Sequence, residues 1–266
     1  MTRKSLGVLT SFALVLAACG GGDGDAGTWG PDETVLQITS EGGFVPVEFM
    51  LNNGPRYTLL GDGRLIFQGV QTMQFPGPLV PPYLIAQLDD SQMNAVLAMV
   101  ERIGLPDIVD ETDDSAAAMV ADASTEVITF WDAAGTHRYA VYALGLEESP
   151  SEQNAAFLEL IETFDRFTAE TESEPYDPEQ VRIIAGPGTI DPAFEDVRPW
   201  PLDDDWDEWS ELPNTWACRD YNAEVLESFG DANQATTWEV PEGSFAFPAP
   251  VQLLVRPLVP GEPGCP

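Results

Sequence analysis

The sequence predicts an α+β fold. Two β-hairpin-plus-helix units form an antiparallel sheet with both helices on one face, and a smaller, disulfide-tied α+β region follows. Three observations carry this reading. Between residues 34 and 168, paired alternating segments separated by tight turns are each followed by one stretch with apolar residues at helical spacing. That order occurs twice, as expected when helices cover one side of an antiparallel sheet. Finally, two cysteines remain for the C-terminal region once a third is assigned to the N-terminus.

The N-terminal segment is a targeting device. Arg3 and Lys4 precede the apolar run Leu6–Leu16, which is too short to span a bilayer, since that takes roughly 20 residues. Ala17 and Ala18 supply the small residues expected before a signal-peptidase cut. The residues Leu16-Ala17-Ala18-Cys19 resemble the lipobox of bacterial lipoproteins. That resemblance implies that residues 1–18 are a signal peptide, and that Cys19 is acylated (palmitate included) and becomes the mature N-terminus. The body would then sit on the extracytoplasmic face of the cell membrane. Two or three acyl chains anchor stably, because burial contributes about 0.8 kcal/mol per methylene and a single chain is marginal. Residues 20–33 (GGGDGDAGTWGPDE) complete a spacer, 19–33, with a reach of roughly 20 Å.

Charge excludes whole classes of partner. The chain carries 11 Lys and Arg against 45 Asp and Glu. Losing Arg3 and Lys4 with the leader leaves nine arginines, no lysine and a net charge of −36. Nucleic acid is excluded as a direct partner, because neutralising phosphates requires clustered cations. Electrostatic docking onto anionic lipid is excluded for the same reason, so the membrane contact is the N-terminal lipid alone. Such a balance fits salty surroundings, where screening confines carboxylate repulsion to about 8 Å or less; a general acidic bias of secreted proteins is the alternative.

With Cys19 consumed by lipid, Cys218 and Cys265 are expected to pair in an oxidising compartment. The bridge would secure a tail (RPLVPGEPGC) too rich in Pro and Gly to order itself. A zinc site is the weaker alternative, since two cysteines and one histidine do not complete four ligands.

Each element has its own signal. Thr34–Thr39 alternates, and Val45–Phe49 reads as a second extended segment. Arg56–Leu60 and Arg64–Phe67 flank the tight turn Gly61-Asp62-Gly63. After a proline-rich loop, Met93, Val96, Leu97, Val100 and Ile103 repeat at helical spacing, with Asp89 or Asp90 as cap and Gly104 as terminator. Thr125–Trp131 and His137–Ala143 form the second hairpin around Asp132–Gly135. Ser149, Pro150 and Glu152 are expected at N-cap, N1 and N3 of a helix whose inner face carries Phe157, Leu160, Ile161, Phe164 and Thr168. Residues 169–178 read as an acidic linker between the domain at 34–168 and the region 179–266. In that region Val181–Ile184 reads as a strand, Ala223–Ala235 as a helix, and Thr236–Val240 and Ser244–Val255 as strands.

Residues 34–168 resemble a domain family of unknown function found in secreted bacterial proteins, through Tyr57–Gly63, the helix ending at Gly104-Leu105 and the hairpin Val127–Val141. The chain is also similar to uncharacterised actinobacterial secreted lipoproteins, through Gly42-Gly43-Phe44 and Arg256-Pro257-Leu258 before the last cysteine. These resemblances imply fold and location and bring no catalytic residue.

No motif names a reaction. The one histidine, His137, is expected as a half-exposed strand residue, and there is no G-x-S-x-G, H-E-x-x-H, Walker loop or G-x-G-x-x-G. The most distinctive segment is Trp200–Trp209, in which Trp200, Trp206 and Trp209 interleave with Asp203, Asp205 and Asp207. It reads either as a solvated acidic loop with its tryptophans turned inward, or as an aromatic binding patch for an envelope protein or glycan. Asp203, Asp205 and Asp207 have the alternate spacing of a calcium loop, but Glu208 replaces the turn glycine and Asn214 the bidentate Glu, so no EF-hand is expected and calcium stays a weak alternative to no cofactor. The functional expectation is a lipid-anchored, extracytoplasmic, non-enzymatic binding or scaffolding module. The alternative is a carboxylate-based hydrolase of cell-envelope glycans, which requires two acids lined by Trp in one concave site.

Overall fold

The computed structural model describes residues 29–71, 74–203, 205–245 and 249–266. Its fold is α+β, with two sheets. The leader, Cys19 and the spacer up to residue 28 lie outside the described residues.

The first sheet has eight strands. Its centre is β1 (Thr34–Gly42), flanked by β2 (Tyr57–Leu60) and β6 (Ser124–Asp132). Beyond β2 come β3 (Arg64–Gln68), β4 (Tyr83–Gln87) and β8 (Ser173–Pro175); beyond β6 come β7 (Gly135–Tyr142) and β5 (Asp110–Asp113). All neighbours are antiparallel except β5, which runs parallel to β7. The alternation expected of strands places Leu36, Ile38, Tyr57, Leu59, Leu65 and Phe67 on one face, under helices α2 (Asp90–Ile103) and α3 (Glu152–Glu170). Val96, Val100 and Ile103 from α2, with Phe157, Leu160 and Phe164 from α3, complete that core. Both helices therefore lie on one side, and they pack against each other.

Helix ends follow local chemistry. Asp89 caps α2 in a reciprocal capping box with Gln92, and Gly104 closes it at φ 77°, a left-handed position that favours glycine. The α3 cap is Ser151 rather than Ser149, accepting from the Asn154 N–H at 3.0 Å. Two hydroxyls were in competition, and the one three residues before Asn154 holds the free N–H. The buried stripe of α3 accordingly ends on Phe167, not Thr168.

The second sheet has six strands in the order β10 (Val197–Pro199), β13 (Thr237–Glu239), β14 (Val251–Pro257), β9 (Gln180–Pro187), β12 (Ala217–Asn222) and β11 (Ser210–Glu211). One face packs Val181, Ile183, Leu253, Val255 and Trp238 under the loops that carry Trp200, Trp206 and Phe245. The other packs Ile184, Leu254 and Trp216 against Val47 and Leu51.

Several expectations are corrected. Val45–Phe49 is not a strand: α1 (Val47–Leu51) begins directly after Pro46, whose fixed φ suits a helix entrance. The helix expected over Ala223–Ala235 is present but shorter and of 3-10 type, Ala223–Phe229, because Gly230 at φ 58° and the Asp231–Thr236 turns end it. The last strand starts at Val251, not Ser244, because Ser244 closes a turn on Pro241. The segment read as a linker supplies β8, which pairs with β4.

Cys218 and Cys265 form the expected disulfide, with Cα atoms 6.0 Å apart. It anchors a strap that continues from β14 across the outer face of the first sheet. On that face Val259 packs against Leu60, Ile66 and Tyr83. Gln37 Nε2 donates to the Pro260 carbonyl at 2.8 Å, and the Tyr176 hydroxyl to that of Leu258. Beneath the strap the Arg256 guanidinium meets the Glu262 carboxylate at 2.7 Å, their side chains only 4% and 6% exposed. The strap joins the two sheets and leaves a seam between them.

Candidate functional site

The seam opens into a cleft of about 280 Å³, just below the roughly 300–1,000 Å³ usual for ligand sites. One wall is α1 and the residues after it, contributing Glu48, Phe49, Asn52 and Asn53. The first sheet supplies Gln68 at the end of β3 and Tyr83 at the start of β4, and the loop between them adds Gln71, Leu79 and Pro81. Gln234 and β14 residues Leu253, Leu254 and Val255 close the far side.

Carboxamides dominate the polar lining, and Glu48 is its one charged side chain among the described residues. On a chain of net charge −34 that is a local exception. Gln68 is fixed by its neighbours: its Nε2 donates to the Gly54 carbonyl at 3.0 Å and to the Tyr83 hydroxyl at 3.2 Å. Asn53 Nδ2 donates to the Ser40 carbonyl. Asn52 Oδ1 is buried with no hydrogen-bond partner, an acceptor that costs free energy until a donor meets it. Burial pushes the Tyr83 hydroxyl up to about 12, so it stays a neutral donor at ordinary pH. The cleft thus offers neutral donors and acceptors above an apolar floor.

A second hollow, of about 570 Å³, lies at the end of the first sheet beside Trp29. It gathers Trp29 and Trp131 with Asp32, Glu33 and Asp132, beside Pro260 and Gly261 of the strap. This is the combination of tryptophan and carboxylates that a glycan hydrolase would require. Each acid, however, has a local task. Asp32 pairs with Arg64, and Glu33 accepts from the Gly30 N–H at 2.7 Å. Asp132 Oδ1 accepts from the N–H groups of Ala134 and Gly135 and from His137 Nε2 at 3.0 Å. The His137 hydrogen bond foremost holds Asp132 below the usual carboxylate range, the opposite of what a general acid needs.

His137 is buried, 6% exposed, and not half-exposed as the strand pattern suggested. Its Nδ1 meets the Ile108 carbonyl at 2.5 Å and its Nε2 meets Asp132. Both partners are acceptors, and against the opposing effect of burial the Asp132 hydrogen bond and the Ile108 carbonyl raise the histidine pKa above its ordinary value. No nucleophile is among these partners; the histidine ties β7 to the turn at Asp132 and to the chain before β5.

The Trp200–Trp209 segment packs against the second sheet. Trp200 lies 5.3 Å from Trp206 and 6.0 Å from Trp209 between ring centroids, and Phe245 sits against all three. Asp203, Asp205 and Asp207 face solvent. Asp205 caps the turn at Trp206–Glu208, and Arg219 pairs with Glu208. Among the described residues no three His, Cys, Asp or Glu side chains are grouped so as to hold a metal ion. No helix among them is long and apolar enough to cross a membrane.

The sequence reading missed the amide-lined cleft, because Asn52, Gln68, Gln234 and Val255 share no spacing and meet only through the pairing of two sheets. No family model, curated protein or solved structure matches the chain.

Proposed function

We propose that this protein is a lipid-anchored, extracytoplasmic binding module without catalytic chemistry of its own, and that it holds an uncharged ligand in the seam between its two sheets. The observation that carries the reading is the lining of that cleft: Asn52, Asn53, Gln68, Gln71, Gln234 and Tyr83 around Leu79, Leu253 and Val255. Carboxamides donate and accept at once, which suits neutral hydrogen-bonding ligands. Acid–base hydrolysis needs a carboxyl poised to give a proton, and the cleft contributes only Glu48. Acylation of Cys19 would keep the module at the membrane despite its charge.

The test uses the full chain in its native envelope. A photoreactive phenylalanine analogue replaces Gln71 or Gln234 at the cleft, or Glu170 at the exposed end of α3 as control. The mature chain contains no lysine, so amine crosslinkers would miss it. One discrete adduct at both cleft positions and none at Glu170 is expected; absence of adducts at the cleft would sink the proposal. In parallel, Cys19→Ala should move the protein from the membrane fraction to the soluble one, and retention in the membrane would remove the lipid anchor.

A further inference from the structure

We infer that the exposed apolar surface around α1 and the end of β1 is a docking face for another protein, and that the segment it takes is apolar and flanked by Lys or Arg. Phe44 is 88% exposed, Phe49 66%, Met50 47% and Val45 39%. Apolar side chains scattered singly over a surface need no explanation. These four fall within residues 44–50 and together line one hollow of about 540 Å³. The hollow is distinct from the amide-lined cleft, from which α1 divides it; Phe49 and Asn53 touch both.

The fold holds these side chains outward. Val47 and Leu51, one helical turn apart on α1, pack against Ile184, Trp216 and Leu254. With that side of the helix committed, Phe49 stands about 200° round from Val47, on the opposite side. Gly42 and Gly43, at φ 69° and 84°, turn the chain off the end of β1, and the Phe44 N–H then donates to the Asp122 carbonyl at 3.3 Å. Beyond α1, Asn53 Nδ2 ties the chain back to the Ser40 carbonyl of β1. An apolar surface fixed in this way loses little freedom when a partner covers it.

Charge selects the occupant. Glu41 and Asp122 line the hollow, and among the described residues its lining has no Lys or Arg. Arg138 reaches Glu41 at 3.6 Å but also serves Asp110 at 3.2 Å, one cation between two carboxylates. A partner with Lys or Arg beside its apolar side chains supplies the complementary charge, and the net charge of −34 draws such a partner in. A second copy of this chain would set the same acids against each other, and the same field repels an anionic bilayer. The face also lies at the end of β1 opposite Thr34, about 30 Å along a nine-residue strand from the side that the acylated segment would join.

The experiment uses the full acylated chain in nanodiscs and a displayed library of random dodecapeptides. Enriched peptides should join apolar side chains to flanking Lys or Arg. Phe44→Ser with Met50→Ser, neither of which lines the cleft, should weaken their binding at least tenfold at unchanged Tm. Glu41→Gln with Asp122→Asn should weaken it at least threefold at low salt and flatten its salt dependence. No enrichment, or peptides indifferent to the apolar pair, overturns the docking face; peptides indifferent to the acid pair overturn the basic partner. The full chain with Cys19→Ala should neither float with vesicles of phosphatidylcholine and phosphatidylglycerol nor dimerise in sedimentation. Flotation or a dimer that Phe44→Ser with Met50→Ser abolishes would give the face to the bilayer or to a second copy, and would overturn the proposal.

Discussion

Arg256 and Glu262 show how much a single pair decides when it is out of water. Glu262 also accepts from the Val259 N–H at 2.9 Å, so one carboxylate holds both the strap and the guanidinium. Glu262→Ala strands a buried charge, which costs about 3–5 kcal/mol, and urea melts should show a loss of that size; a loss under about 1 kcal/mol would mean that the pair does not hold the strap. His137 and Asp132 carry a pH dependence of opposite signs. Burial works against the His137 charge, but the hydrogen bond to Asp132 and then the Ile108 carbonyl hold it above its ordinary value. Its contribution is therefore full below the unfolded value of about 6.5 and fades as pH rises through the raised folded value. Asp132, held low, contributes above about 3.9 and fades as pH falls through its folded value. The difference in Tm between the protein and His137→Gln should shrink from about pH 6 toward alkaline pH; a difference independent of pH would refute a raised His137 pKa.

Among the elements, β9 and α1 show where backbone geometry leaves no latitude. A Cβ on Gly186 of β9 would lie 2.3 Å from the Trp216 ring, a buried and rigid neighbour. Gly186→Ala should cost about 1–3 kcal/mol as overpacking, and a thermal melt at wild-type level would mean that the ring moves freely. The long helices were legible because α2 and α3 repeat apolar residues over fourteen and nineteen positions and end at recognisable caps. The hairpins β2–β3 and β6–β7 were legible from their turns. Short strands were not. β12 (ACRDYN) mixes charge into a strand whose order comes from β9 and the disulfide, and β4 lies in a proline-rich stretch. In α1 a β-branched start resembles a strand until packing against Leu254 and Ile184 decides otherwise. Pairing of Cys218 with Cys265 followed from counting, whereas the cleft depended on where β13 stops, which no local pattern encodes.

At the scale of the molecule, the chain carries 45 acids against 11 Lys and Arg. Self-repulsion destabilises the compact state and is screened beyond about 8–10 Å at moderate salt. Tm should rise as ionic strength increases from low salt, and a melt indifferent to salt would exclude this effect. The proposed acylation of Cys19 would have a mechanical consequence. Trp29 lies shortly before β1, which is bonded to β2 between Thr34 and Ile38 and to β6 from Leu36 to Gly42. A pull between the membrane anchor and whatever the cleft holds would draw β1 along its own axis. Rungs to β2 and to β6, overlapping at Leu36–Ile38, would then bear the load in shear instead of parting one after another like a zip. A protein acylated at Cys19 and gripped at the seam would thus carry tension through β1.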